Sequence, residues 1–242
     1  MIEAENLSKH FRVPRRGVVR AVDGVTFRCE PGQVYGLLGA NGAGKTTTLR
    51  MLATILEPTA GTARVAGHDI RRDSQRVRSS IGFLSAATAL YGRLTAREMT
   101  EYFGRLYGLA GPALRRRVDD VFERLEIDFG DRRCEALSTG MKQKVSIART
   151  LVHDPPVMIF DEPTLGLDVM TARAIVAFIR ECRAQGKTVL FSTHVMSEAE
   201  KLCDTIGIIH QGRLLAEGPL AALRVRYQQR DLEEIFVCAV ES

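Results

Sequence analysis

The sequence predicts an α/β fold: a mostly parallel sheet flanked by helices, with antiparallel strands at the N-terminal end and an inserted all-helical segment. Three observations carry this expectation. Short apolar runs bounded by turn residues alternate with helical stretches, the order that a parallel sheet covered on both faces produces. One run, "VYGLLG" at 34–39, opens directly into a glycine loop and then a helix. Between the apolar strands at 81–85 and 157–161 the pattern contains two consecutive helical periods.

Residues 1–35 alternate as strands, "MIEAENL" and then "VVRAVDGVTFRCE", closed by the turn pair Pro31-Gly32. A helix is expected from about Gly44 to Leu56, stopped by "EPTAG", and a strand pair around "TARVAGHDI". After strand "IGFLS" come "TAREMTEYFGRLYGL" and "PALRRRVDDVFERLEI". In the second, Leu114, Val118, Val121 and Leu125 share one face. The alternation then resumes: helix 139–152, strand 157–161, helix 171–185, strand 188–192, helix 196–203 and strand 205–210. Near the end Asp231 stands three residues before Glu234, a capping-box-like start for a docked terminal helix.

The 242 residues, 45% apolar and 26% charged, fit one large domain or one domain with an insertion. The net charge of +5 is spread over separate short basic runs at 12–20, 70–78, 114–118 and 130–133. Such runs read as solvated faces, or as surfaces that meet phosphates, lipid headgroups or an acidic partner. The five cysteines (29, 134, 182, 203 and 238) contain no Cys-x-x-Cys spacing, so neither a zinc site nor a disulfide framework is expected. A reducing compartment follows as the simplest setting. "MIEAENLSKHF" lacks the apolar core of a secretory signal, and no run of eighteen apolar residues occurs. Work at a membrane would need another chain to span it.

The chemistry begins at "GANGAGKT", Gly39 to Thr46, which satisfies G-x-x-x-x-G-K-[ST]. Glycines let backbone N–H groups converge on phosphate oxygens, and the helix start adds its dipole. Lys45 is expected to reach the β- and γ-phosphates, and Thr46 to coordinate Mg²⁺. "VMIFDEP" then ends an apolar strand on Asp161-Glu162, at the sheet edge where such folds bind ligands. Asp161 is the expected Mg²⁺ holder, and Glu162 is free to polarise a water for in-line attack. His194 ends the strand "VLFSTH" and is read either as a contact to the γ-phosphate or as a structural histidine. "LSTGMKQKV", from Leu137, is a second phosphate-like helix opening.

These pieces in this order resemble the ATP-binding subunit of an ABC transporter. The resemblance covers residues 1–218, and "DLEEIFV" is similar to the tails of the same group. It implies a P-loop NTPase (RecA-like) fold with one ATPase domain over 1–218, a helical insertion at about 86–150 and a C-terminal helical tail at 219–242. It identifies 39–46 as Walker A and 157–162 as Walker B. It makes "LSTGM", 137–141, the signature motif, and Asp168 of "LGLD" the D-loop aspartate. His194 becomes the switch histidine, and Phe11 the aromatic that stacks on adenine.

The nucleotide-binding set implied is Phe11, Gly39, Asn41, Gly42, Ala43, Gly44, Lys45, Thr46, Thr47, Ser138, Gly140 and Asp168. Lys45, Glu162 and His194 are implied as catalytic, with Thr46 and Asp161 on the metal. "LSTGMKQKVSIARTLVHDP" and "LYGRLTARE" resemble the type-2 exporter, sodium-extrusion (NatA-like) group. The implied cofactors are ATP and Mg²⁺. The implied partners are integral membrane permease subunits and a second copy of this chain, at the cytoplasmic face of the cell membrane, with no nucleic acid. Ser138 and Gly140 of one copy would then face the γ-phosphate held by the other.

One position departs from the family. Ala86 stands where most members place a glutamine that touches Mg²⁺, and alanine offers no donor or ligand. Metal retention is therefore expected to lean on Thr46 and Asp161. The alternatives are excluded on residues: a GTPase needs an N/T-K-x-D motif, absent here, and other P-loop enzymes have no use for "LSTGM" or "LGLD". A soluble ABC-type ATPase acting on RNA or a protein complex is the other reading that the motifs allow.

Overall fold

The computed structural model describes residues 1–14, 17–85 and 89–241. Two sheets organise the chain. The first is antiparallel, built from β1 (Ile2–Val13), β2 (Gly17–Cys29), β4 (Ala60–Val65) and β5 (His68–Asp69), in the order β2-β1-β4-β5. The second holds β3 (Val34–Leu38), β6 (Ile81–Ser85), β7 (Val157–Asp161), β8 (Thr188–Thr193), β9 (Thr205–His210) and β10 (Arg213–Gly218). Its order is β10-β9-β3-β8-β7-β6, parallel throughout except for β10 against β9.

The unbroken apolar runs follow from burial on both faces. In β7, Val157 and Ile159 pack toward the antiparallel sheet, with Ile2, Val22, Leu37 and Leu190. Met158 and Phe160 pack the other way, with Val189, Phe191 and the helices of the insertion. Alternate residues of one strand thus enter two cores, which is why 157–160 reads as an unbroken apolar run before Asp161.

Those helices are α3 (Ala96–Leu106), α4 (Gly111–Arg124) and α5 (Thr139–Leu151). α3 starts on a capping box: Thr95 Oγ1 accepts from the Glu98 N–H at 3.1 Å, and Glu98 Oε2 accepts from the Thr95 N–H at 2.9 Å. Leu114, Val118, Val121 and Phe122 are the buried face of α4, and Leu125, just past its end, packs against the same core.

α1 (Lys45–Leu52) is shorter than its periodicity suggests. Thr54 adopts a left-handed φ of 58°, and the N–H groups of Ile55 and Leu56 turn back to the Arg50 carbonyl, so the chain leaves the helix four residues early. β1 runs on past Leu7 through two register shifts to Val13. α6 (Val169–Ala184) and α7 (Met196–Leu202) complete the alternation.

The sequence reading does not contain α2 (Ser74–Ser80) or β10, and it does not resolve α8 (Leu220–Tyr227) within the helical tail expected at 219–242. α2 and α8 are short and bury one side chain each, Val77 and Leu223, too few to make a period. β10 is an edge strand turned back from β9 at Gln211-Gly212, with φ of 46° and 79°. The tail closes with α9 (Leu232–Glu241), whose Leu232, Ile235 and Ala239 pack with Leu223, Ala199, Ile206 and Ile208.

Candidate active site

The loop between β3 and α1 is shaped by backbone that only glycine adopts readily. Gly42 and Gly44 have φ of 80° and 112°, and a Cβ on Gly44 would stand 2.6 Å from the Ala21 carbonyl oxygen. The chain therefore arches closely over β2 and aims the unpaired N–H groups of the first turn of α1 at one point. Lys45, only 4% exposed, lies inside the arch and donates from Nζ to the Gly39 carbonyl at 2.6 Å and the Ala40 carbonyl at 3.2 Å.

β7 delivers the two acids to the same place. Asp161, 5% exposed, accepts at Oδ1 from Thr46 Oγ1 at 3.0 Å and from Ser192 Oγ at 2.9 Å. Ser192 is its register partner on β8. Glu162 leaves the strand with a φ of 47°, a left-handed conformation unusual for a glutamate. Its N–H donates to the Ser192 carbonyl at 3.2 Å and to Ser192 Oγ at 3.1 Å. This turns the carboxylate across the loop. Oε1 meets Lys45 Nζ at 2.9 Å, and Oε2 lies 2.8 Å from His194 Nδ1.

Asn41, Gly42, Gly44, Lys45, Thr46, Thr47 and Glu162 line one pocket of about 150 Å³, together with Ala21. Asp161 and His194 reach it through their contacts with Thr46 and Glu162. Gly39 supplies the carbonyl that holds Lys45. Ala43 is buried behind the loop, its carbonyl accepting from the Gly212 N–H at 2.9 Å.

Phe11, Ser138, Gly140 and Asp168 lie away from the pocket and from the side chains that reach it. Phe11, 37% exposed, sits on the β1–β2 hairpin with Lys9 Nζ 5.4 Å from its ring centre. Ser138 caps α5, its Oγ accepting from the Met141 N–H at 3.3 Å. Asp168 caps α6, accepting from the Met170 and Thr171 N–H groups at 2.9 and 3.0 Å and from the Thr171 hydroxyl at 2.6 Å. The Thr171 hydroxyl and these N–H groups hold its carboxyl below the usual carboxylate range. A Cβ on Gly140 would lie 3.2 Å from that same Thr171 Oγ1. The fold thus sets the starts of α5 and α6 side by side. Lys144 is taken up by Glu126, donating to its carbonyl at 3.3 Å and facing its carboxylate at 3.8 Å.

A profile of the ABC transporter family matches residues 22–165. The chain belongs to the ABC transporter family. It is an ATPase cassette of that family. The ABC transporter ATP-binding protein NatA of Bacillus subtilis is 43% identical over 239 residues, 98% of this chain and 97% of that one. Nod factor export ATP-binding protein I of Paraburkholderia xenovorans is 42% identical over 97% of this chain and 76% of that one. The solved dimeric structure of MJ0796, a bacterial ABC transporter cassette, superposes with a TM-score of 0.81 at 26% identity, covering 90% of this chain and 98% of that one.

For the ABC cassette the donor set fits a hard cation. A hydroxyl and a carboxylate oxygen, Thr46 Oγ1 and Asp161 Oδ1, stand within hydrogen-bond distance. Among the described residues no group of three metal-ligating side chains exists. Two oxygens completed by phosphate and water are what Mg²⁺ accepts. Ala86, the departure from the family pattern, lies outside the described residues. Sequence reasoning missed Ala21 and Ser192. Ala21 carries no signal, since it contributes backbone to the pocket. Ser192 stood two residues before His194 in "FSTH", but its role depends on register with Asp161.

Proposed function

We propose that this ATPase drives an ABC exporter from the cytoplasmic face of the cell membrane, working as two copies with integral membrane permease subunits. The observation that carries the two-copy reading is the separation of the two phosphate-like helix starts. The Lys45–Glu162 pocket does not include Ser138 or Gly140, and Ser138 is exposed at the start of α5. Around Asp168 the apolar side chains of Leu165, Val169 and Met170 are 54%, 69% and 71% exposed. A second copy placed head-to-tail would cover them and bring its own α5 start over the γ-phosphate. The dimeric cassette to which this chain is similar supports that arrangement.

In this reading the N–H groups of 41–47 and Lys45 bind the phosphates, and Phe11 stacks on adenine. Thr46 and Asp161 would hold Mg²⁺, which supplies charge neutralisation for the β- and γ-phosphates. Glu162 takes the proton of the attacking water, and His194, hydrogen-bonded to it, fixes its direction. Ser138 and Gly140 of the other copy complete the shell, with Asp168 at the seam between copies. Loss of the γ-phosphate charge then releases the two halves.

Export is supported by the name of the Nod factor relative and by the "LSTGM" variant. No helix among the described residues is long and apolar enough to cross a membrane, so in this reading the span belongs to the permease subunits. A groove of about 310 Å³ lined by Ile55, Arg78, Phe83, Phe103, Tyr107 and Arg149 is the surface we assign to it. Leu106 and Tyr91 nearby are 62% and 58% exposed. Purification of the tagged chain from membranes tests the reading: a multi-span membrane protein in stoichiometric amount is expected, and nucleic acid in its place would favour the RNA-directed alternative.

A further inference from the structure

Two segments carry the hydrolytic pair proposed above: the loop after β7, with Glu162, and the end of β8, with His194. A third side chain ties them together. Glu198, in the first turn of α7, sets Oε2 3.0 Å from Thr164 Oγ1 and 3.1 Å from Thr193 Oγ1, and both hydroxyls donate to it. Thr164 stands two residues past Glu162, and Thr193 immediately precedes His194.

Each threonine is fixed further. The Thr193 hydroxyl, on a residue 2% exposed, also accepts from the Val195 N–H at 2.9 Å, closing the turn in which His194 sits. The Thr164 carbonyl accepts from the Leu167 N–H at 3.2 Å, so the anchored loop runs on to Asp168. One carboxylate oxygen thus holds both loops at a set separation. Bonds to an ionised acceptor are the stronger kind.

We infer that Glu198 is a positioning residue of the ATPase, setting the register between Glu162 and His194 and tying that pair to the Asp168 segment. The inference rests on the roles proposed above for Glu162 and His194. The competing explanation is generic: any carboxylate in the first turn of α7 favours the helix dipole. The two separate cleanly. Glutamine loses the charge but keeps an acceptor for both hydroxyls, whereas alanine loses both.

The test measures kcat and KM for ATP, with thermal midpoints, on the full chain. Glu198→Ala is expected to lower kcat about tenfold with KM within about twofold, the signature of lost alignment. Glu198→Gln is expected to keep at least about half of the parent kcat. Glu198→Ala combined with His194→Ala should be within about twofold of His194→Ala alone, because the first acts through the second.

Thr164→Val removes one of the two bonds without touching α7. It keeps the inference testable if Glu198→Ala does not fold, and a several-fold kcat loss at unchanged KM is expected. Equal losses in the glutamine and alanine variants, or independent losses in the double variant, would overturn the inference. Glu162→Gln separates this from the underlying reading. If that variant turns over like the parent, the assignment of the pair fails and the inference with it. If it is inactive while Glu198→Ala and Thr164→Val are both parent-like, only the positioning role fails.

Discussion

His194 Nδ1 lies 2.8 Å from Glu162 Oε2, while the other oxygen of the same carboxylate lies 2.9 Å from Lys45 Nζ. The glutamate is therefore shared between the cation of the phosphate loop and the ring at the end of β8. Its left-handed φ of 47° is the backbone cost of that placement. Phosphates entering the loop would compete for Lys45 and leave one carboxylate oxygen free to face a water, with His194 still holding the other.

Glu162→Gln should therefore lower ATP turnover by about 10²- to 10⁴-fold, the usual worth of a general base, while ATP still binds. Size-exclusion chromatography with ATP should show the variant as a dimer. A monomer at saturating ATP, with the permease also present, would contradict the head-to-tail arrangement.

Ser138→Arg places a long cation at the exposed cap of α5. Turnover should fall at least about 10²-fold if, as proposed, this helix start meets the transferring phosphoryl group of the other copy. Binding of the first nucleotide to the isolated chain should be nearly unchanged, as titration with a fluorescent ATP analogue would show. Loss of that first binding would mean that α5 serves the nucleotide of its own chain.

Ser192→Ala removes the hydroxyl that donates to Asp161 and accepts from the Glu162 N–H. Outer-shell changes of this kind weaken metal binding about 10- to 100-fold. The Mg²⁺ concentration for half-maximal turnover should rise accordingly, with a stability loss of about 1–2 kcal/mol. An unchanged Mg²⁺ curve would place Ser192 outside the metal's influence.

His153 offers a pH test away from the site. Its ring stacks on Tyr107 with centroids 3.5 Å apart, its Nε2 meets the Ile81 carbonyl at 3.0 Å, and its buried Nδ1 has no partner among the described residues. Burial pulls its pKa down to about 4, against some support from the Ile81 carbonyl. The unfolded chain, with an ordinary imidazole, binds more protons between about pH 4 and 6.5. His153 therefore favours folding above that window and loses its contribution as pH falls through it, by about 2 kcal/mol once partial exposure is discounted. Denaturant titrations from pH 7 to 4.5 should show a steeper fall for the parent than for His153→Gln.

The local features were legible because each is written in a few consecutive residues. The glycine loop, the strand ending in Asp161-Glu162 and the helix start at Ser138 all follow from spacing alone. The apolar period continues through "ATILEP", four residues past the end of α1, whereas the left-handed Thr54 ends the helix. β10 is not legible in the sequence because an edge strand with one buried side chain, Ala216, carries almost no period-2 signal.

By itself the sequence determined the family and the local motifs: a glycine loop with a lysine and a threonine, two acids at the end of an apolar strand, and a second helix start of the same kind. Only the tertiary structure decided how these are joined. Ser192 meets Asp161 through the register of β7 and β8, Ala21 reaches the loop by backbone approach, and Glu198 bridges Thr164 and Thr193 across 34 and 5 positions of chain. The physical reason is range. Phosphate recognition and helix starts are set by dihedral angles and hydrogen bonds between near neighbours. The positions of Glu162, His194 and Glu198 relative to one another depend on strand register and helix docking, which the whole folded core imposes.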